Sequence, residues 1–180
     1  MHKPLSTGAT IGILGGGQLG RMLSVAAARL GFRSHIFEPG IGCPASHVAD
    51  QLTTASYTDT DALQRFAETV DVITYEFENI PTSALDVLEQ VATIRPGREA
   101  LRISQDRLTE KDFLNSLGLK TAPYAAIDDA PALGAALNAF GTAAILKTRR
   151  FGYDGKGQVR LQPDSDPQAA VADLAGQAAL

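Results

Sequence analysis

The stretch Ile11-Gly12-Ile13-Leu14-Gly15-Gly16-Gly17-Gln18-Leu19-Gly20-Arg21-Met22 decides the fold. An apolar run of strand character leads into three consecutive glycines, and Gly20 opens a segment with helical spacing. The order strand, glycine turn, helix N-terminus aims backbone N–H groups and the positive end of a helix dipole at one point, where an anion is expected. Alone, the pattern points to a dinucleotide; its meaning depends on what surrounds it.

Working outward, Leu19, Met22, Leu23, Ala26 and Leu30 recur at helical spacing, which predicts that this stripe faces the core, and Gly31 is placed to stop the helix. Arg33 to Phe37 reads as a second strand ending at Glu38-Pro39-Gly40, which completes a βαβ unit with a right-handed crossover and a parallel sheet. Short elements follow: a helix over 44–50, a strand over 51–53, a helix capped by Asp59 and a strand over 71–75 that ends in Tyr75-Glu76-Phe77-Glu78-Asn79. A helix begins at Pro81 and Thr82, and a brief strand covers 93–95. Ligands of open parallel sheets bind beyond the carboxyl ends of the strands, so the Gly15 turn, Glu38 and Glu76 are expected to converge on one crevice.

The pattern loosens after Arg95-Pro96-Gly97, which predicts a boundary between a Rossmann-like domain over 1–102 and a second domain over 103–180. In the second domain the spacing predicts helices over 104–117 and from Pro131 to Gly141, strands over 124–127, 143–148 and 158–161, and a final helix over 168–180. The fold class is therefore α/β.

Composition excludes several functions. The chain has 180 residues and a formal net charge of −4, so no overall basic surface points to nucleic acid or an anionic membrane. No apolar stretch approaches the roughly 20 residues of a membrane span, and Met1 to Ala9 holds no hydrophobic signal region, so a cytoplasmic protein is expected. Cys43 is the single cysteine, which excludes an intramolecular disulfide and a cysteine metal cluster. His35 and His47 lack a second ligand at metal spacing and are read as structural.

The second informative stretch is Ile145-Leu146-Lys147-Thr148-Arg149-Arg150-Phe151-Gly152-Tyr153-Asp154-Gly155-Lys156-Gly157-Gln158. Lys147, Arg149, Arg150 and Lys156 surround three glycines in a chain that is acidic overall. A glycine hairpin can fold its amides over a phosphate chain while the cations neutralise it. The alternative on spacing alone is a β-hairpin turn carrying a solvated charge run. The order of Gly, Lys and Ser/Thr is not that of a Walker loop.

Together, GGGQLGRM at Gly15 to Met22, YEFEN at Tyr75 to Asn79, DRLTEK at Asp106 to Lys111 and GYDGKGQ at Gly152 to Gln158 resemble the N5-carboxyaminoimidazole ribonucleotide synthase family of the ATP-grasp superfamily. The resemblance runs from about Thr10 to Leu161. It implies a pre-ATP-grasp domain followed by the first part of an ATP-grasp domain, and an ATP- and Mg²⁺-dependent ligase of purine biosynthesis. Such an enzyme activates bicarbonate as carboxyphosphate and carboxylates aminoimidazole ribonucleotide. Carried onto this sequence, Arg107 and Lys147 contact ATP phosphates, and Gly152, Tyr153, Asp154, Gly155, Lys156, Gly157 and Gln158 form the lid over them. Tyr153 and Asp154 also face the ribonucleotide, with Asp154 the candidate for a direct role in carboxylation. Gly17, Gln18, Leu19 and Glu76 line the substrate site, and the anion at the Gly15 to Gly20 turn is expected to be the substrate's 5′-phosphate or the carbonate-derived group. The resemblance implies a homodimer, no metal ligand within this chain, and no turnover by the 180 residues alone, because a second ATP-grasp half is expected elsewhere.

Three other readings remain open. Glu38 stands about twenty residues after the glycines, where an NAD-dependent oxidoreductase places its ribose-binding acid. A formate-dependent ribonucleotide transformylase or a biotin carboxylase shares the architecture. A non-catalytic nucleotide-sensing module is the third. Lys111 reads as a surface cation, and Glu76 is chosen over Glu78 by the family pattern.

Overall fold

The computed structural model describes residues 4–152 and 156–180. Tyr153, Asp154 and Gly155 lie outside the described residues. The chain divides into two compact units, one up to Arg102 and one from Ile103.

In the first unit, β1 (Thr10–Leu14), β2 (Arg33–Phe37), β3 (Gln51–Thr53) and β4 (Val72–Tyr75) form a parallel sheet in the order β3-β2-β1-β4. Leu14 stands in register with Phe37 on one side and with Tyr75 on the other, so the chain leaves β1, β2 and β4 at the same edge. That shared edge is what brings the glycine turn, Glu38 and Glu76 together. β1 is buried almost throughout, as its unbroken apolar run predicts for a central parallel strand.

α1 (Gln18–Arg29) follows β1, α2 (Thr60–Ala67) follows β3, and α3 (Thr82–Leu88) follows β4. Asp59 caps α2 by accepting from the Ala62 N–H at 2.9 Å. Leu14, Phe37, Leu63, Phe66, Ile73, Leu85 and Leu88 are each at most 1% exposed and form the main core.

α1 departs from the stripe that its spacing suggests. Leu19, Met22, Leu23 and Leu30 are 56%, 58%, 40% and 71% exposed, whereas Gly20, Ser24 and Ala27 are buried. Small residues at i, i+4 and i+7 let the helix approach the sheet closely, and the longer side chains are left on the outer side. The strand expected over 93–95 reduces to a single parallel bridge between Ile94 and Ile73. Residues read as a loosened boundary form α4 (Arg98–Ser104), with Leu101 fully buried in the core of the first unit.

The second unit begins its regular structure with α5 (Arg107–Ser116), so the helix expected over 104–117 is two helices separated at Gln105 and Asp106. Asp106 is the reason: its carboxylate accepts from the N–H groups of Leu108 and Thr109, which starts a new helix there. After α5 come α6 (Ala130–Phe140), the antiparallel pair β5 (Ala144–Lys147) and β6 (Gln158–Leu161), and α7 (Pro167–Asp173). Asp129 caps α6, and Gly141 closes it in the left-handed conformation.

The strand expected over 124–127 makes only a bridge at Ile127. The final helix expected over 168–180 ends at Asp173, because Ala175 and Gly176 both take positive φ. The chain then extends: Ala179 exchanges both backbone hydrogen bonds with Ile127, and Leu180 does the same with Lys147. Leu133, Leu137, Leu146, Leu161 and Ala179 form the core of this unit.

Candidate functional site

The first candidate site is the glycine turn. Gly17 is the N-cap residue of α1, has no side chain to cap with, and is followed by no acid in the first turn. The cap comes from far along the chain. Glu76, just past β4, accepts from the Gly17 N–H through Oε1 and from the Gly20 N–H through Oε2, each at 2.7 Å. Glu38, just past β2, accepts from Gly16 N–H at 2.8 Å and from Gly40 N–H at 2.9 Å. Two carboxylates therefore occupy the amides and the dipole end that the sequence offers to a ligand anion. The amides of Gly16, Gly17 and Gly20, where a substrate phosphate or carbonate-derived group is expected, donate to the protein's own carboxylates.

Gly20 explains why the turn needs glycine at that position. A Cβ there would lie 2.6 Å from the Gly15 carbonyl oxygen, closer than a side chain tolerates. The surroundings are electronegative. Burial, and after it the charges of Glu38 and Glu76, push the Tyr57 phenol well above its ordinary value. Gln18 and Leu19 are exposed on the first turn of α1, next to Gly17. Glu78, two residues beyond Glu76, accepts at 3.3 Å from its neighbour Asn79.

Buried His35 is held by two hydroxyls, Thr69 Oγ1 at Nδ1 and Thr53 Oγ1 at Nε2, both at 2.8 Å. Thr69 Oγ1 already donates to the Phe66 carbonyl, so it accepts from Nδ1–H, and Nε2 accepts from Thr53. Burial lowers the His35 pKa, and the ring is a structural group.

The second candidate site lies at the end of β5. Lys147 closes that strand, and among the described residues it takes part in none of the ion pairs. Strand alternation sets Ile145, 49% exposed, on the same face as Lys147. Both line an apolar cavity of about 610 Å³, together with Lys111, Tyr124, Phe140 and Leu180. Sequence reading did not single out Ile145; an apolar residue two positions before a strand-ending lysine was the available signal. Lys111 donates to the Ala122 carbonyl at 3.2 Å and sits 5.1 Å from the centre of the Tyr124 ring.

Arg107 stands at the start of α5. Its Nη1 donates to the Thr148 carbonyl at 2.7 Å and its Nη2 to the Gly152 carbonyl at 2.9 Å. Lys156 and Gln158 are exposed, and Gly157 takes a positive φ of 67°. Of the residues read as the lid, Tyr153, Asp154 and Gly155 lie outside the described ones. Among the described residues no group of three or more His, Cys, Asp or Glu side chains is arranged to hold a metal ion. No helix among them is long and apolar enough to cross a membrane.

Comparison with known proteins places these sites in context. Residues 8–105 match the ribonucleotide synthetase preATP-grasp domain, and residues 112–180 match the ATP-grasp domain. An N5-carboxyaminoimidazole ribonucleotide synthase of Brucella melitensis is 56% identical over 168 residues, which cover 93% of this chain and 46% of that protein. The N5-carboxyaminoimidazole synthetase of Staphylococcus aureus, solved with ADP, superposes with a TM-score of 0.89 at 39% identity, covering 97% of this chain and 47% of that one. The N5-carboxyaminoimidazole synthase of Aspergillus clavatus, solved with ADP and 5-aminoimidazole ribonucleotide, gives 0.80 at 27%, covering 96% and 46%. The chain thus spans about half the length of the curated synthases that it matches.

Proposed function

The chain belongs to the ribonucleotide synthetase family, whose preATP-grasp domain it carries over residues 8–105, and on that premise we propose that it supplies the glycine turn and phosphate loop of an N5-carboxyaminoimidazole ribonucleotide synthase. In the proposed reaction ATP phosphorylates bicarbonate, giving carboxyphosphate and ADP. The exocyclic amine of aminoimidazole ribonucleotide then attacks the carboxyl carbon, the bond from that carbon to the phosphate oxygen breaks, phosphate leaves, and the amine gives up a proton.

The observation that carries this reading is the end of β5. Among the described residues Lys147 takes part in no ion pair; it lines an apolar cavity and is followed by a glycine loop whose base Arg107 grips. Phosphoryl transfer needs chiefly positioning and charge neutralisation, which a strand-fixed lysine supplies. Ile145 presents apolar surface for the nucleotide base. Arg107 keeps guanidinium N–H groups beyond the two it spends on carbonyls, and these meet a phosphate. Gly152 to Gln158 form the lid, in which Tyr153 and Asp154 face the ribonucleotide; Asp154 orients the amine and accepts its proton. Gly17, Gln18 and Leu19 line the ribonucleotide site. Glu76 shapes that site by fixing the turn, so the substrate's phosphate is bound elsewhere. Mg²⁺, when bound, neutralises the nucleotide phosphates. The same reading expects a homodimer acting in the cytoplasm.

The test is ATP hydrolysis by the full-length protein with each substrate omitted in turn. Turnover that needs bicarbonate and aminoimidazole ribonucleotide together agrees with the proposal. A requirement for formate, or tight NAD binding without such turnover, overturns it.

A further inference from the structure

The hydrogen bonds at the start of α5 reach past the helix they cap. Asp106 uses its carboxylate twice, accepting from Leu108 and Thr109 N–H within α5 and from the Arg149 guanidinium across the sequence. The Arg149 fork is two-pronged, with Nε at 3.0 Å and Nη2 at 2.8 Å from Oδ2. The pair is only 26% and 16% exposed, so water screens it weakly. The Arg107 N–H donates to the Arg149 carbonyl at 3.0 Å, and the Arg107 side chain bridges the carbonyls of Thr148 and Gly152. Two adjacent residues of one helix start therefore hold the base of the glycine loop at residues 148, 149 and 152.

Two backbone features fit that grip. Gly152 admits the guanidinium, since a Cβ there would come within 2.9 and 3.0 Å of the two Arg107 nitrogens. Phe151, a bulky residue, sits at φ +60°, where side chains are disfavoured. Such a conformation persists when the surrounding structure fixes it, and here the carbonyls of Thr148 and Gly152, on either side of Phe151, are both held by Arg107.

We propose that the Asp106–Arg149 pair is a positioning element for nucleotide binding: it locks the start of α5 to residues 148, 149 and 152, and so holds the Arg107 guanidinium where it receives the phosphates. The proposal rests on the reading of residues 152–158 as a phosphate loop. An arginine fixed in its bound geometry loses less side-chain freedom when the phosphates arrive, which lowers the cost of binding. Burial by itself raises the Asp106 carboxyl; the Arg149 guanidinium and the two amides outweigh it and hold the group below its ordinary value, which keeps it a carboxylate at neutral pH.

Asp106→Asn separates the two jobs of this side chain, because asparagine still caps the helix but carries no charge. Arg149→Gln removes the other partner, and Arg149→Lys keeps the charge without the planar fork. In the full-length protein each of the first two variants is expected to raise KM for ATP about 10-fold with kcat changed less than about 3-fold, the pattern of lost ground-state positioning. The double variant should be no worse than either single one, because both break the same pair. In the absence of nucleotide, cleavage after Lys156 by a lysine-specific protease should quicken about 10-fold in both variants as residues 148, 149 and 152 are released from Arg107 more often. Arg149→Lys should fall between wild type and Arg149→Gln. Unchanged KM and cleavage in variants with wild-type circular dichroism, or strictly additive losses in the double variant, would overturn the proposal. The protease readout needs no nucleotide, so a protein that shows faster cleavage but no ATP dependence refutes the phosphate-loop reading and not the grip on the loop.

Discussion

The molecule contains two glycine stretches, and they use their glycines in opposite ways. At residues 15–20 the amides of Gly16, Gly17 and Gly20 donate to Glu38 and Glu76, so the turn carries the protein's own negative charge. Beside residues 152–157 the sequence sets Lys147, Arg149, Arg150 and Lys156, with Asp154 inside the stretch; Arg107 holds the Thr148 and Gly152 carbonyls, and the Asp106 carboxylate is turned onto Arg149. The first stretch resembles an anion site by its motif, and the second by its charge. Glycine spacing reports what backbone geometry is possible, whereas the ligand depends on which side chains the fold brings to that geometry.

The largest effect expected from this contrast concerns Lys147. Lys147→Met should lower kcat/KM for ATP by roughly 10²-fold or more in the full-length protein, the scale of losing one fixed donor to a developing charge. Gly152→Ala should come next. Its Cβ competes with the Arg107 guanidinium, so ATP affinity should fall about 10-fold by isothermal titration, at the cost of about one charge-assisted hydrogen bond. Both substitutions should leave the stability of the first unit untouched.

In the first unit the expected effects concern folding. Glu76→Ala strips two N–H groups of their shared acceptor and should lower stability by about 2 kcal/mol in urea denaturation, with Glu76→Gln costing less. A Glu76→Ala protein as stable as wild type, yet with weakened ribonucleotide binding, would make Glu76 a ligand residue only. The smallest effect is a pH dependence. Burial holds the folded-state pKa of His35 below the ordinary imidazole value of about 6.5, so the unfolded chain binds the proton more readily. Stability is thus full above about pH 6.5 and is lost as pH falls below it toward the folded value. Replacing His35 with Gln should flatten that acid limb in denaturation curves recorded from pH 7.5 to 5.

The βαβ unit was legible because its signals are local: an apolar run, three glycines, a helical spacing and a stop at Gly31 with φ +81°. Asp59 as a cap and Gly141 as a stop were legible for the same reason. Three features were not. The exposed Leu19, Met22 and Leu23 stripe reverses the usual rule because close helix–sheet approach selects small residues, which depends on the partner surface. The end of α7 at Asp173 depends on positive φ at Ala175, a residue that gives no such signal. The Glu76 bridge to Gly17 spans 59 positions and exists because β4 is placed beside β1. Motif resemblance singled out Glu76, but only the sheet order reveals that its carboxylate faces the turn amides. Within the second unit, the place of Lys147 at a strand end was legible from the apolar run before it, while the double use of Asp106 was hidden behind an apparently continuous helix.

The central claim is a division of labour: phosphates of ATP at the loop after β5, and no phosphate on the amides of the turn after β1. Amide chemical shifts of the full-length protein, titrated with ATP, test it most directly. The account predicts that the signals of Lys147, Gly152 and Gly157 move while those of Gly17 and Gly20 stay in place. Shifts at Gly17 and Gly20 with the loop signals unmoved would contradict it.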